Sequence, residues 1–303
     1  MRRRRGRGRL DLDALACEHR ALAAHVGQTT ISLGVAPWTP AQEARGLERE
    51  LRNCLAHPAV IDLVLFGSQA RGGTTGFSDV DAILVIDDAA AGEPATLRGL
   101  RRRVISAQRA VVSFQPMQHH GFEVVTPKLL SRANNALGMP ASALSETRSL
   151  IGHGAEATFT AALPDEGRKR LAALIENTAG VPRWPRQAWR LHGLVSMFEL
   201  LPALYLQALG ETVPKWRSFE EARRHFGEAW WPYDVLKQVR DTWPRISAPG
   251  LWAAAKILRN PWFPIAVWSR LPTREPRVAH GLLSSDCLAA LQQLALEMGE
   301  RAR

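Results

Sequence analysis

Residues 60–86 place an apolar run ending in Gly67-Ser68 ahead of a second apolar run that opens with Asp79 and Asp81. Side chains on a strand alternate faces, so aspartates two positions apart point the same way at roughly 6 to 7 Å. At that separation two carboxylates repel by about 2.5 kcal/mol at an effective dielectric near 20. A strand edge holds them there only if something offsets the repulsion. A divalent cation does so, and hard Mg²⁺ prefers carboxylate oxygen. Gly67-Ser68 supplies the other half: backbone N–H groups exposed at a tight turn, where a phosphate can approach closely. A phosphate cradle beside a metal-binding carboxylate pair is apparatus for nucleotide chemistry.

The surrounding pattern says what positions these groups. A helix is expected over residues 10–26. A second starts with Thr39 as N-cap, Pro40 in the first turn and Gln42 closing a capping box, and ends at His57-Pro58. Strands follow at 60–66 and 79–86, joined by a loop through Gly72-Gly73 and Gly76. A basic helix over 95–109 carries Arg98, Arg101, Arg102 and Arg103, and short strands are expected at Val111–Phe114 and Phe122–Val125. Residues 127–162 read as mixed. Beyond Leu163-Pro164-Asp165 the chain reads as helical, over 165–178, 184–209, 218–227, 232–242, 249–258 and 284–300. All ten tryptophans except Trp38 fall from Trp184 onward, as expected of large side chains filling a helical core. The expected organisation is a basic tail at 1–9, disordered, a first domain at 10–162 and a helical domain at 165–303.

Bulk composition narrows the classes. The chain has 303 residues, room for about two domains. Its formal charge is +10, of which six come from arginines within residues 2–9, so the body is only mildly basic. That tail offers at most weak RNA contact. Cys17, Cys54 and Cys287 form no Cys-x-x-Cys pair, so neither a zinc site nor a disulfide framework is expected, and a cytoplasmic location is. Acids at 11, 13 and 18 interrupt any signal-peptide core. The longest apolar stretch, 191–209, holds His192, Glu199 and Pro202 and reads as a buried helix, not a membrane span. No Walker A motif is present, because Gly73 stands where lysine is needed.

Gly67-Ser68, ten residues, then Asp79-Val80-Asp81-Ala82 resembles the signature of the polymerase-β-like nucleotidyltransferase superfamily. Leu-Phe-Gly-Ser-Gln-Ala-Arg-Gly and Ser78 before the pair look like its smaller bacterial members. The resemblance implies an α+β fold: a small mixed sheet flanked by helices, followed by an all-helical domain. It also implies a reaction. An acceptor hydroxyl attacks the α-phosphorus of a nucleoside triphosphate such as ATP and releases pyrophosphate. Gly67 and Ser68 would hold the β and γ phosphates, and Asp79 and Asp81 one or two Mg²⁺ ions.

The resemblance further implies a third carboxylate on a later strand. The only acid on a strand candidate there is Glu123, with His119 or His120 as the alternative proton acceptor. Lys215 and Ser218 resemble a lysine and serine that many members direct from the helical domain to the triphosphate, although Ser218-Phe219-Glu220-Glu221 is also a complete capping box. Arg71 either binds phosphate or forms a local ion pair. His192 reads as a buried, satisfied histidine. The acceptor stays open between a small molecule, bound by helical-domain acids such as Glu199, Glu211, Glu220 and Glu221, and a macromolecule, RNA or protein. A nucleotide-binding module that has lost catalysis is the alternative function, and an Asp-x-Asp sugar transferase is disfavoured because it has no use for Gly67-Ser68.

Overall fold

A computed structural model describes residues 27–73, 75–118, 120–132, 141–161, 163–245 and 276–303. The expected tail, the helices at 10–26 and 249–258, Cys17 and His119 lie outside the described residues. The architecture is α+β. Strands β1 (Gln28–Leu33) and β7 (Ala155–Thr160) form an antiparallel ribbon. A five-stranded mixed sheet is built from β2 (Ala36–Pro37), β3 (Val60–Phe66), β4 (Asp81–Ile86), β5 (Glu123–Val125) and β6 (Arg148–Ser149), in the order β2-β6-β3-β4-β5. β3 and β4 are antiparallel, and β5 runs parallel to β4.

The two central strands are apolar on both faces because both faces are covered. Ala82, Leu84 and Ile86 pack with Leu63 and Leu65 against helices α1 (Arg45–Leu55) and α4 (Pro94–Phe114). Ile83 and Val85 pack on the other side with Val64, Val125 and Phe159. Short helices α2 (Gly67–Ala70), α3 (Asp88–Ala91) and α5 (Pro127–Leu130) complete this part of the fold. Asp62 on β3 is fully buried yet satisfied: it accepts from Ser149 Oγ at 2.5 Å, Ile151 N at 3.0 Å and Gly154 N at 2.7 Å. It thereby ties the segment before β7 to the sheet.

From Pro164 onward the described elements are helical: α6 (Pro164–Ala179), α7 (Ala188–Ala208), α8 (Lys215–Phe226), α9 (Trp231–Asp241), α10 (Arg277–Leu282) and α11 (Ser285–Arg301). Their shared core contains Leu171, Phe198, Tyr205, Trp230, Tyr233, Leu236 and Leu291. Among the described residues no helix is long and apolar enough to cross a membrane.

Four local expectations are corrected. Val111–Phe114 is not a strand; it is the last turn of α4, whose core-facing Leu100, Ala107 and Val111 keep helical spacing to the end. Burial on the sheet overrides the β propensity of Val111-Val112. Thr39 caps nothing, because Trp38 is fixed first: its backbone N–H donates to Ser149 O at 2.7 Å and its indole to Gln69 O at 3.1 Å. The chain stays extended past Pro40, and α1 begins only at Arg45 after a single 3₁₀ turn. Ser218 is not an N-cap; Pro214 takes that position, and Ser218 lies inside α8 with its Oγ donating to Lys215 O at 2.6 Å. β4 starts at Asp81 and not at Asp79, because Val80 has left the ladder for a side chain. Its N–H donates to Gln118 Oε1 at 2.8 Å and its C=O accepts from Gln118 Nε2 at 3.2 Å.

The loop between α2 and β4 joins the sheet to the helices. Phe77 enters the helical core, stacked on His192 at 4.0 Å and edge-on to Trp243 at 5.2 Å. Gly76 lets the loop approach that closely: a Cβ there would lie 2.4 Å from Trp243 O and 2.6 Å from Arg245 N. Gly76→Ala therefore forces backbone apart at a buried contact. The expected loss is about 1–3 kcal/mol, read as a lower urea midpoint at unchanged m-value.

Candidate active site

The turn after β3 is set by Gly67, whose φ of 67° is in the left-handed region. A Cβ there would also meet Asp81 Oδ2 at 2.6 Å, so glycine is required twice over: by the backbone and by the carboxylate lying across it. This register brings the start of β4 beside the end of β3, with Phe66 opposite Asp81. Asp79, two residues earlier, is held by a pair of glutamines. Gln115, just past α4, donates to Gly76 O at 3.0 Å and Ser78 O at 2.6 Å, and Gln118 fixes Val80 as described. Both amides are buried, so each hydrogen bond is costly to lose.

A cavity of about 210 Å³ opens over this junction. Gly67, Ser68, Asp79 and Asp81 line one wall together with Arg71 and Glu146. Glu199 on α7, Lys215 and Trp216 on α8, and Arg240 on α9 line the wall opposite. Of the residues singled out in the sequence, the cavity thus brings together Gly67, Ser68, Arg71, Asp79, Asp81 and Lys215. It does not bring in Glu123 or Ser218. Glu123 is exposed on β5, level with Ile83 and away from the cavity, and Ser218 is buried within α8 behind Lys215.

Against Asp81 stands His120, the alternative to Glu123 among the sequence candidates. Its Nε2 is 3.1 Å from Asp81 Oδ1, and its Nδ1 is 3.1 Å from Gly121 O. Gln118 Nε2 also lies 3.3 Å from Nδ1, but its two protons go to the nearer carbonyls of His120, at 2.9 Å, and Val80, at 3.2 Å, so the two acceptor oxygens on the ring suit its doubly protonated form. Burial pulls this imidazole down, but the hydrogen bond and charge of Asp81, the Gly121 carbonyl and the charge of Asp79 outweigh it. They raise the group from 6.5 to about 9.

The opposite wall carries its own charge balance. Glu199 is almost fully buried and holds Lys215 Nζ at 3.0 Å and Arg240 at 3.6 Å. Two cations on one buried carboxylate leave this triad with a surplus positive charge facing the cavity. Burial pulls the Arg71 guanidinium below its ordinary value. The Glu146 carboxylate, 4.0 Å away, and Asp81 oppose that shift, and Arg240 adds to it. Arg71 stays cationic, 5.8 Å above the half-exposed ring of Trp216. His192 lines the cavity too, with Nε2 at 3.1 Å from Phe77 O.

Sequence reasoning missed Arg240, Glu146, Trp216, Gln115 and Gln118. The glutamine amides pair with backbone, which leaves no spacing motif, and Arg240 reaches the cavity only through a fold contact more than 150 residues downstream of Asp81.

Residues 48–111 match the family model of the nucleotidyltransferase domain, consistent with the polymerase-β-like nucleotidyltransferase superfamily. The match spans α1 to the last turn of α4 and includes Gly67, Ser68, Asp79 and Asp81; β5, His120 and the helical half lie beyond it. No curated protein matches the chain.

In metal-free buffer the His120 imidazole should titrate near 9 by NMR, and Asp81→Asn should bring it down. The raised value fixes the sign of the linkage: the His120–Asp81 pair stabilises the fold fully below about pH 6.5 and ceases to as pH rises through about 9. A midpoint that does not move in Asp81→Asn would contradict the assigned pairing.

Proposed function

We propose that the protein transfers a nucleoside monophosphate from a nucleoside triphosphate to an acceptor hydroxyl in a metal-dependent reaction. The observation that carries this is one cavity joining the Gly67-Ser68 turn and the Asp79–Asp81 pair to three cations, Arg71, Lys215 and Arg240. The donor set suits magnesium. Among the described residues no three ligating side chains converge, and Mg²⁺ is commonly held by one or two carboxylates with substrate phosphates and water completing the shell. Asp79 and Asp81 would hold it, and when bound it would neutralise charge building on the transferred phosphoryl group.

The chain's own residues do the positioning. Gly67 brings backbone close enough for phosphate contact, because no Cβ stands in the way. Lys215 and Arg240, aimed from Glu199, offset the charge of the β and γ phosphates from one side, and Arg71 does so from the other. The attacking hydroxyl forms its bond to the α-phosphorus as the bond to the bridging oxygen breaks; pyrophosphate departs with that electron pair, and the hydroxyl proton passes to solvent water, since the His120 ring already carries both its protons. Such transfer depends on alignment and charge neutralisation more than on covalent help. Trp216 offers an exposed ring at the cavity for a base or for the acceptor.

A second reading, nucleotide binding without turnover, is favoured by one feature: His120, not Glu123, stands against Asp81. Calorimetry with nucleotide and Mg²⁺ beside an α-labelled transfer assay separates the two.

Incubation with α-labelled nucleotide, Mg²⁺ and cell extract should label an acceptor and release pyrophosphate. Asp79→Ala with Asp81→Ala should reduce this by roughly 10³-fold, the several kcal/mol expected of lost charge stabilisation, with unchanged circular dichroism. Label persisting in that variant refutes the mechanism. Glu199→Gln should raise KM for the triphosphate roughly tenfold and leave kcat within about threefold, since it disturbs binding in ground and transition states alike.

A further inference from the structure

We propose that the face formed by α1 and the N-terminal half of α4 docks a nucleic-acid backbone, so that the acceptor hydroxyl belongs to a nucleic acid. The proposal rests on the transfer reaction above for its purpose, but the surface is argued independently. Helix α4 carries Arg98, Arg101, Arg102, Arg103 and Arg109 and not one acid in 21 residues. Arg98, Arg101 and Arg102 have the i, i+3, i+4 spacing of a single face, and all three are exposed. Among the described residues none of them has an ion pair. Arg103 faces the other way: its charge, like that of Glu50 on α1, acts on the half-buried Cys54 thiol. Glu93, at the N-cap of α4, is tied to Thr96 Oγ1 at 3.0 Å.

The rest of the protein shows what a merely solvated arginine face looks like here. Arg52 pairs with Glu48, Arg168 with Asp165, Arg217 and Arg224 with Glu221, and Arg301 with Glu297, each within one helical turn. Exposed arginines without an ion pair also occur singly, Arg170 on α6 and Arg190 on α7, but among the described residues α4 carries three of them on one face. The charge is also concentrated. Residues 45–55 and 94–114 together hold eight arginines against two glutamates, a net +6. Subtracting this and the six tail arginines from the chain's +10 leaves every other residue summing to −2.

Charge complementarity therefore points to a polyanion, and arginine forks suit phosphate oxygens. A membrane surface fits less well. The apolar face of α4 is spent on the core through Leu100, Ala107 and Val111, which leaves Leu97 as the one large exposed apolar side chain on this helix, too little to anchor it in lipid. Position links the face to the site: α4 runs from these arginines to Gln115, which holds the loop before Asp79. The interval from Arg101 to Gln115 is about 21 Å at 1.5 Å per residue. A bound strand would extend along α4 and present its end at the cavity.

The test uses the full chain, without nucleotide, and a fluorescent single-stranded RNA of about 20 nucleotides titrated at several salt concentrations. Relative to the wild type, the triple variant Arg98→Ala, Arg101→Ala, Arg102→Ala should show a log K against log salt slope shallower by about 2 and roughly 100-fold weaker binding near 0.1 M salt. The corresponding triple lysine variant should keep the slope. Unchanged circular dichroism and melting in all three proteins ensures that folded chains are compared. Equal slopes and affinities within about twofold in wild type and triple alanine variant would overturn the proposal and assign any RNA contact to another surface. Arginine-dependent binding to phosphatidylserine vesicles without arginine-dependent RNA binding would overturn it in favour of a membrane. Because the titration contains no nucleotide, it reads docking alone, so failure of the transfer reaction leaves the docking result readable on its own.

Discussion

Two like charges must be held at the head of one strand, and much of this structure serves that requirement. Asp79 and Asp81 repel each other in the apo protein, and the fold offsets this with three kinds of restraint. Asp81 is fixed by the β3–β4 register and lies against a position where only glycine fits. Asp79 precedes the ladder, so side chains replace the neighbouring strand: the Gln118 amide pairs with both polar groups of Val80 and Gln115 takes the carbonyls of Gly76 and Ser78. The third restraint is electrostatic, the His120 ring held cationic against Asp81. An imidazolium there does for the pair what a bound cation would do, and it uses groups the chain already owns.

The same logic, with the sign reversed, shapes the facing wall. Lys215 and Arg240 would repel each other across a small cavity if nothing lay between them. Glu199, buried on α7, supplies the compensating charge and fixes both directions at once. Removing a buried carboxylate from such an arrangement is expensive because it strands two cations, whereas the complete triad carries a net charge of only one. Its nearness also raises the already buried Tyr233 hydroxyl, whose proton stays on and donates to Phe198 O. The triad therefore anchors three helices, α7, α8 and α9, to a common point beside the aspartates.

What the sequence made legible follows from how local each signal was. Gly67-Ser68 and Asp79-x-Asp81 lie within fifteen residues, and their flanking apolar runs are strands because both faces of the sheet are covered; pattern and environment agree there. The helical half was legible through period and aromatic density, although Trp216 and Trp231 are half-exposed while Trp230 and Trp243 are buried. Expectations failed where a long-range contact displaced a local rule. Thr39 had good capping chemistry, but Trp38 was claimed by Ser149 and Gln69. Ser218 satisfied a capping box, but α8 began a turn earlier at Pro214. Val111-Val112 favoured a strand, but the face they share with Leu100 was wanted by the sheet. Glu123 was chosen as the only acid on a strand candidate; the parallel β4–β5 register sets it level with Ile83, past the site, and leaves His120 nearer Asp81.

Helix α4 shows why these levels cannot be separated. One side of it is core: Leu100, Ala107 and Val111 stack on the sheet and fix its axis. Its C-terminal end reaches the loop before Asp79 through Gln115, and Gln118 follows three residues on. Its N-terminal half carries three exposed arginines on one face of a helix that contains no acid. A packed helix about 30 Å long is stiff, so these three roles are locked in a fixed spatial relation. A polyanion bound on the arginine face and a triphosphate bound over Asp79 and Asp81 would therefore be held in constant register by one element. Their relative placement would not depend on a flexible linker, so little entropy would be lost when both are bound together.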